Sequence, residues 1–169
     1  MNEVANGMMR LHEKPICGYI PAGTVNDFAS SLRIPKIMRH AAELVTQGKV
    51  FRCDLGSFND KFFTYVAGFG AFTEVSYTTP QEWKNMLGKT AYFIEGLKHL
   101  AEIKPHHMRI TYDDGVVEDD FVLGLVSNSV SVAGYKAYQK EDIKMDDGLF
   151  EVILIKRPKN ILDVQNIIS

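Results

Sequence analysis

At 169 residues the chain has the size of one ordinary domain, and 46% hydrophobic residues are enough for a sizeable core and exclude general disorder. A formal net charge of −2 argues against nucleic-acid binding by electrostatics alone. The longest apolar stretches, such as Phe62 to Phe72, fall short of the roughly 18 residues that a membrane span requires, so contact with lipid is expected from the water side.

Met1-Asn2-Glu3 leads into a polar, helix-like start with no secretory leader pattern. The spacing of Val4, Met8 and Leu11 predicts a helix over Asn2 to Leu11. Ile16 to Ile20 reads as a short strand ended by Pro21. Thr24-Val-Asn-Asp27 has the N-terminal helix signature of Ser/Thr followed three residues later by an acid, with the helix running to about Leu32. Pro35 opens another helix, through Lys36 to Thr46, closed by Gly48.

From Val50 the texture changes. Val50 to Leu55, Lys61 to Ala67, Met108 to Tyr112, Phe121 to Ser127 and Leu149 to Ile155 are rich in Val, Ile, Phe and Tyr and read as strands. Asp113-Asp114-Gly115 reads as a hairpin turn. One long helix interrupts the strands: Thr79-Pro80-Gln81-Glu82 is a capping box, and Trp83, Leu87, Ala91, Ile94, Leu97 and Ala101 form a single apolar stripe suited to covering a sheet. The tail from Asn160 to Ser169 ends in helix-like apolar residues. The expected fold class is α+β, with an α/β piece over residues 1–48 followed by a β-rich part over 49–169.

Several clusters carry chemistry or mimic it. In "YIPAGTVNDFASSL", Gly23 suits a sharp turn and close approach of a ligand to the main chain. Thr24 brings a hydroxyl and an N–H to a helix start, where free N–H groups and the helix dipole favour phosphate. Asn26 suits holding a ligand or a neighbouring loop, and Asp27 makes sense near phosphate only with Mg²⁺ between them or while orienting a positive or hydroxyl group. On the residues alone a capped helix start is the favoured explanation of the stretch, and it lacks the lysine of a Walker A loop. Lys144-Met-Asp-Asp-Gly-Leu149 is a turn by composition; a carboxylate and tight-loop carbonyls there could also supply part of a hard-cation shell.

Asp54 follows a strand-like run, before Leu55-Gly56, and reads as a surface charge at a strand end. His106-His107 reads as a loop pair without a third metal ligand. The two cysteines, Cys17 and Cys53, have neither metal nor disulfide spacing and are expected as buried, reduced thiols of a cytosolic protein. Between Arg33 and Arg52 five basic residues (Arg33, Lys36, Arg39, Lys49, Arg52) stand against one acid, Glu43; a solvated face is the commoner reason for such a bias, and it also suits phosphates or an anionic membrane.

Five stretches in order resemble the diacylglycerol kinase catalytic-domain family, soluble bacterial lipid kinases related to sphingosine kinases. "MNEVANGMM" resembles the segment just after that family's Gly-Gly-Asp-Gly-Thr loop, and "IPAGTVNDFASSL" its Pro-x-Gly-Thr-x-Asn-Asp-Phe-Ala signature. "FFTYVAGFGAFTEV", "LGKTAYFIEGLKHL" and "KMDDGLFEVILI" resemble the later segments.

The resemblance implies an α/β nucleotide domain, here residues 1–48, and an antiparallel β-sandwich, residues 49–169, with ATP in the cleft between them. It implies a lipid hydroxyl as acceptor, often that of diacylglycerol, which becomes phosphatidic acid. Asn2, Gly23, Thr24 and Asn26 would serve the nucleotide. Asp27 and Asp54 would join an acidic, Mg²⁺-linked catalytic network. The backbone oxygens of Lys144 and Leu149 with the Asp147 carboxylate would hold a structural Mg²⁺. Family members are cytoplasmic, peripheral to the membrane and often self-associate, so a homodimer is plausible.

The Gly-Gly-Asp-Gly-Thr loop and the Asp-Gly-Glu stretch of the family's general base have no match here, since Val116 follows Asp114-Gly115 and Leu149 follows Asp147-Gly148. Both ends are therefore expected to be truncated, and the 169-residue chain by itself is expected to phosphorylate no lipid. Two alternatives stay open: a kinase for another hydroxylated lipid such as a sphingoid base, and a non-catalytic β-sandwich module that binds lipid or a partner.

Overall fold

The computed structural model describes residues 1–71, 103–129, 143–160 and 163. The long capping-box helix expected after Thr79, and nearly all of the tail after Asn160, lie outside the described residues. Among those described, three helices and six strands follow one another: α1 (Asn2–Met9), α2 (Asp27–Ser31), α3 (Met38–Gln47), β1 (Gly56–Phe58), β2 (Lys61–Phe63), β3 (Val66–Gly70), β4 (His106–Tyr112), β5 (Gly115–Ser127) and β6 (Glu151–Lys156). The fold is α+β with open sheets. By packing, the chain divides into two compact units, Met1–Ala67 with Val126–Glu151, and Gly68–Leu125 with Val152–Ser169.

In the first unit, β1 and β2 form an antiparallel hairpin with Phe58 opposite Lys61. Asn59 takes the left-handed conformation in its turn (φ 55°), which a short polar side chain tolerates better than most. Helix α1 is stitched to this hairpin by asparagine amides. Asn6 accepts from the Phe62 N–H (2.8 Å) and donates to the Phe62 carbonyl (2.7 Å), matching one residue of a strand edge as a neighbouring strand would.

The unit's apolar interior includes Ala5, Phe28, Ala29, Ala41, Phe63 and Met145. Aromatic pairs extend it, Tyr19 on Phe28 at 5.9 Å and Phe63 on Phe150 at 5.7 Å between centroids.

The second unit holds most of a four-stranded sheet in which β5 pairs with β3, β4 and β6. The β4–β5 hairpin is antiparallel, with Tyr112 opposite Gly115 across Asp113-Asp114, as the turn signal predicts. Burial along β5 changes character partway: it alternates from Gly115 to Asp120, then Phe121, Val122, Leu123 and Gly124 are all buried. An alternating stretch has one face in water, whereas a continuously buried one is covered on both. Val122 and Leu123 with Ala71 form the core, flanked by Ile103, Leu125 and Ile155. Gly70 (φ 82°) is required beside this core, because a Cβ there would lie 2.2 Å from the Val122 carbonyl oxygen.

Several sequence expectations are corrected. Ile16 to Ile20 forms no strand, and Ile16 is 77% exposed; the run is too short to bury its apolar residues without a pairing partner. Val50 to Leu55 is likewise irregular, and Val50 and Phe51 are exposed, the nearest strand being Gly56–Phe58. Cys17 is exposed rather than buried, its Sγ 3.1 Å from Met8 Sδ.

His106 and His107 lie in β4, not in a loop. His106 meets the Phe69 ring edge to face at 5.9 Å, and His107 takes Asp120 on Nδ1 (2.9 Å) and Glu118 on Nε2 (3.4 Å). Thr24 caps no helix: the N-cap of α2 is Asn26, in the left-handed conformation and without a capping side-chain bond.

Candidate functional site

The Gly-Thr-x-Asn-Asp stretch is built around a side chain that closes on its own backbone. Asn26 accepts from the Gly23 N–H at 2.9 Å and donates through Nδ2 to the Gly23 carbonyl. Both polar groups of Gly23 are thereby held by one amide, which fixes the four-residue turn without any cap from Thr24. A Cβ on Gly23 would stand 2.9 Å from Asn26 Oδ1, so a larger residue there would push the Asn26 amide away from its place in the ring. Thr24 sits exposed on the rim of this loop. Helix α2 has only five residues, so a helix dipole contributes little, and any anion affinity here rests on the main chain of the turn.

Asp27 comes directly after, and Tyr65, between β2 and β3, donates its hydroxyl to Asp27 Oδ2 at 2.8 Å. One turn on, Ser31 Oγ meets Ser129 Oγ at 2.8 Å. The short helix is therefore tied to two segments far away in sequence. Asn2 is placed on α1, where its Oδ1 accepts from both the N–H (3.1 Å) and the hydroxyl (3.0 Å) of Thr64, the residue before Tyr65. Asn2 and Asp27 thus lean on neighbouring residues of one connection.

Asp54 and the Asp-Asp-Gly turn meet each other. The Asp54 N–H donates to the Met145 carbonyl at 2.7 Å, and Asp54 Oδ2 accepts from the Gly148 N–H at 2.7 Å. Gly148 has φ 78°, which glycine adopts freely. Within the turn Asp147 Oδ1 accepts from the Leu149 N–H at 3.0 Å.

Asn128, fully buried, sits beneath this contact: its Nδ2 donates to the carbonyls of Asp54 (3.1 Å) and Met145 (3.2 Å), and its N–H to the Tyr65 carbonyl (3.0 Å). Asn128 is thus bonded to Tyr65, the partner of Asp27, and to Asp54 itself. Beside Asp54, the Cys53 thiol is pushed up in pKa by burial and then by the Asp54 charge, which makes it a poor nucleophile.

Glu151, at the start of β6, is the last carboxylate of this region. Its Oε2 is buried and has no hydrogen-bond partner. Burial raises its pKa, and the Asp147 carboxylate adds to the shift. Among the described residues no three His, Cys, Asp or Glu side chains gather into a metal-binding group. A cation held by the turn would rely on main-chain oxygens of Lys144 and Leu149, on Asp147 and on water, a donor set that suits a hard ion such as Mg²⁺.

Tyr65, Ser31, Asn128, Ser129 and Glu151 escape the sequence reading. The usable signal was Ser127-Asn128-Ser129, three polar residues ending an apolar strand; all three are fully buried.

Comparison with known proteins agrees with the motifs. The family described as the diacylglycerol kinase catalytic domain matches residues 1–58. The whole chain is 36% identical to a diacylglycerol kinase of Staphylococcus saprophyticus, of which it covers 55%, and 34% identical to one of Staphylococcus aureus, of which it covers 53%. A solved diacylglycerol kinase structure from Bacillus anthracis is superimposable with a TM-score of 0.72 at 31% identity, over 98% of this chain and 52% of that one. The chain spans about half the length of these relatives. Residues 1–58 match the diacylglycerol kinase catalytic-domain family, and the chain as a whole is a partial-length relative of diacylglycerol kinases.

Proposed function

We propose that the chain is part of an ATP-dependent lipid kinase that transfers phosphate to a lipid hydroxyl, with diacylglycerol as acceptor and phosphatidic acid as product. The observation that carries this reading is similarity along the entire chain to proteins described as diacylglycerol kinases. The site geometry supports it. Phosphoryl transfer depends on positioning and on stabilising the charge of the transferred group more than on covalent chemistry by the protein. A turn locked by an Asn26–Gly23 ring, and two aspartates each held by a specific donor, are features of a positioning device.

In this reading residues 1–48 belong to a nucleotide-binding domain and 49–169 to a sandwich domain. Gly23, Thr24 and Asn26 present the turn to the nucleotide, together with Asn2. Asp27, oriented by Tyr65, and Asp54, oriented by Gly148, carry the negative charge that Mg²⁺ links to phosphate. Mg²⁺ bound with ATP supplies neutralisation of the phosphate charge. Lys144, Asp147 and Leu149 hold a second, structural cation. No helix among the described residues is long and apolar enough to cross a membrane. From the family resemblance, the reading extends to a protein peripheral to the membrane on its cytoplasmic side, with a homodimer as its possible assembly.

The test is turnover by the protein as encoded by its gene, with ATP, Mg²⁺ and diacylglycerol in mixed micelles. Phosphatidic acid is formed, and Asp27→Asn reduces the rate by two orders of magnitude or more, about the scale of removing a catalytic charge. Phosphorylation of a sphingoid base but not of diacylglycerol would replace the acceptor. Failure with every hydroxylated lipid tried would leave a binding module in place of a kinase.

A further inference from the structure

Asp54 is held by its main chain as well as by its carboxylate. Its N–H donates to the Met145 carbonyl (2.7 Å), and its Oδ2 accepts from the Gly148 N–H (2.7 Å). Its carbonyl accepts from Asn128 Nδ2 (3.1 Å), which also donates to the Met145 carbonyl (3.2 Å). The two hydrogens of the Asn128 amide thus go one to residue 54 and one to the 144–149 turn.

Two carbonyl oxygens brought to one place repel, and a neutral group with two donors on one nitrogen holds them there. Asparagine carries that group on a short side chain, whereas serine offers one donor and an ionised aspartate none. Asn128 is fully buried, so these bonds are shielded from water and costly to leave unmade. It follows directly on the end of β5, and its own N–H donates to the carbonyl of Tyr65 (3.0 Å), the residue whose hydroxyl meets Asp27 Oδ2. Asn128 therefore fixes the main chain of Tyr65 through its N–H, and that of Asp54 and the turn through its side chain. It lies outside the five stretches that carry the family resemblance.

We propose that Asn128 is a positioning residue for Asp54: its side-chain amide seats the 144–149 turn against residue 54, so that the Gly148 N–H meets the carboxylate, and thereby sets where the Asp54 charge stands relative to Asp27. The inference deepens the kinase reading above and rests on it for the part that Asp54 plays. Phosphoryl transfer depends on the placement of such charges. A displacement of about 1 Å at a positioning contact can lower a rate by about a hundredfold.

The test follows hydrogen exchange at two amides of the protein as encoded by its gene. Gly148 bonds the Asp54 carboxylate, and Ala41 bonds the Ile37 carbonyl at the start of α3 (3.0 Å) and reports the stability of the same unit. In Asn128→Ala the Gly148 amide exchanges at least about tenfold faster relative to Ala41 than in wild type, the scale of one lost hydrogen bond to a charged group. Phosphatidic acid formation per folded molecule falls at least about tenfold in kcat, with the KM for diacylglycerol unchanged. If Asn128→Ala fails to fold, Asn128→Ser, which keeps one donor, is read by the same two measurements and moves them in the same direction. A proportional loss at Gly148 and Ala41 makes Asn128 a merely structural residue and overturns the proposal, as does a freed Gly148 amide with kcat unchanged. Absence of turnover in wild type overturns the kinase reading instead, and the exchange ratio then decides whether Asn128 seats Asp54.

Discussion

Replacing Asn128 by alanine removes a side chain bonded both to Asp54 and to Met145 at the 144–149 turn. Two donated hydrogen bonds are lost, to the carbonyls of Asp54 and Met145. Each contributes about 0.5–1.5 kcal/mol net. The Met145 carbonyl keeps the Asp54 N–H as a donor, so the heavier loss falls on the Asp54 carbonyl, which is left unpaired at about 1–3 kcal/mol. Asn128 Oδ1 is itself buried without a partner, and its removal returns part of this. The net expectation is a loss of about 2–4 kcal/mol.

Asn128→Asp separates the bonds from the packing. It keeps the shape but turns a donor into a carboxylate oxygen facing two carbonyls, in a site with no exposure to water. It should therefore be at least as destabilising as alanine. Urea denaturation of the full chain followed by circular dichroism and tryptophan emission measures both. If Asn128→Asp is milder than Asn128→Ala, the amide does not donate to these carbonyls and the reasoning fails.

Tyr65→Phe removes the donor to Asp27 Oδ2. It should cost about 1–2 kcal/mol in urea denaturation and, on the proposed function, slow lipid phosphorylation in the phosphatidic acid assay, whereas an unchanged rate there would deny Tyr65 a part in orienting Asp27. Gly70→Ala combines a left-handed backbone with a Cβ driven against the Val122 carbonyl, so a loss of at least about 2 kcal/mol is expected in the same assay. His107 has its pKa raised above the ordinary value of 6.5, first by the hydrogen bond to Asp120 and then by that to Glu118. Because the folded value exceeds the unfolded one, this interaction stabilises fully below the unfolded pKa and is lost as pH rises through the folded pKa. An NMR titration of His107 should show the elevated midpoint, and Asp120→Asn should lower it; a midpoint unmoved by that change would contradict the contact.

By itself the sequence determined the local and the chemical. The β4–β5 hairpin arises from Asp113-Asp114-Gly115 between apolar runs, helix α3 ends at Gly48 as its composition requires, and ordered motifs disclosed the family. These signals lie within a few neighbouring residues, where backbone preference and side-chain spacing act directly.

The tertiary structure decided what pairs across distance. Ile16 to Ile20 has strand composition, yet without a neighbouring strand its backbone groups have no ladder to join. Thr24 has the composition of a cap, yet Asn26 closes on Gly23 first. Tyr65 on Asp27, Ser129 on Ser31, and Asn128 on Asp54 and Met145 join residues 17 to 98 positions apart, and no local preference encodes such a partner. The same holds for Glu151 Oε2, buried and without a hydrogen-bond partner, a property that exists only once the surrounding chain has closed over that atom.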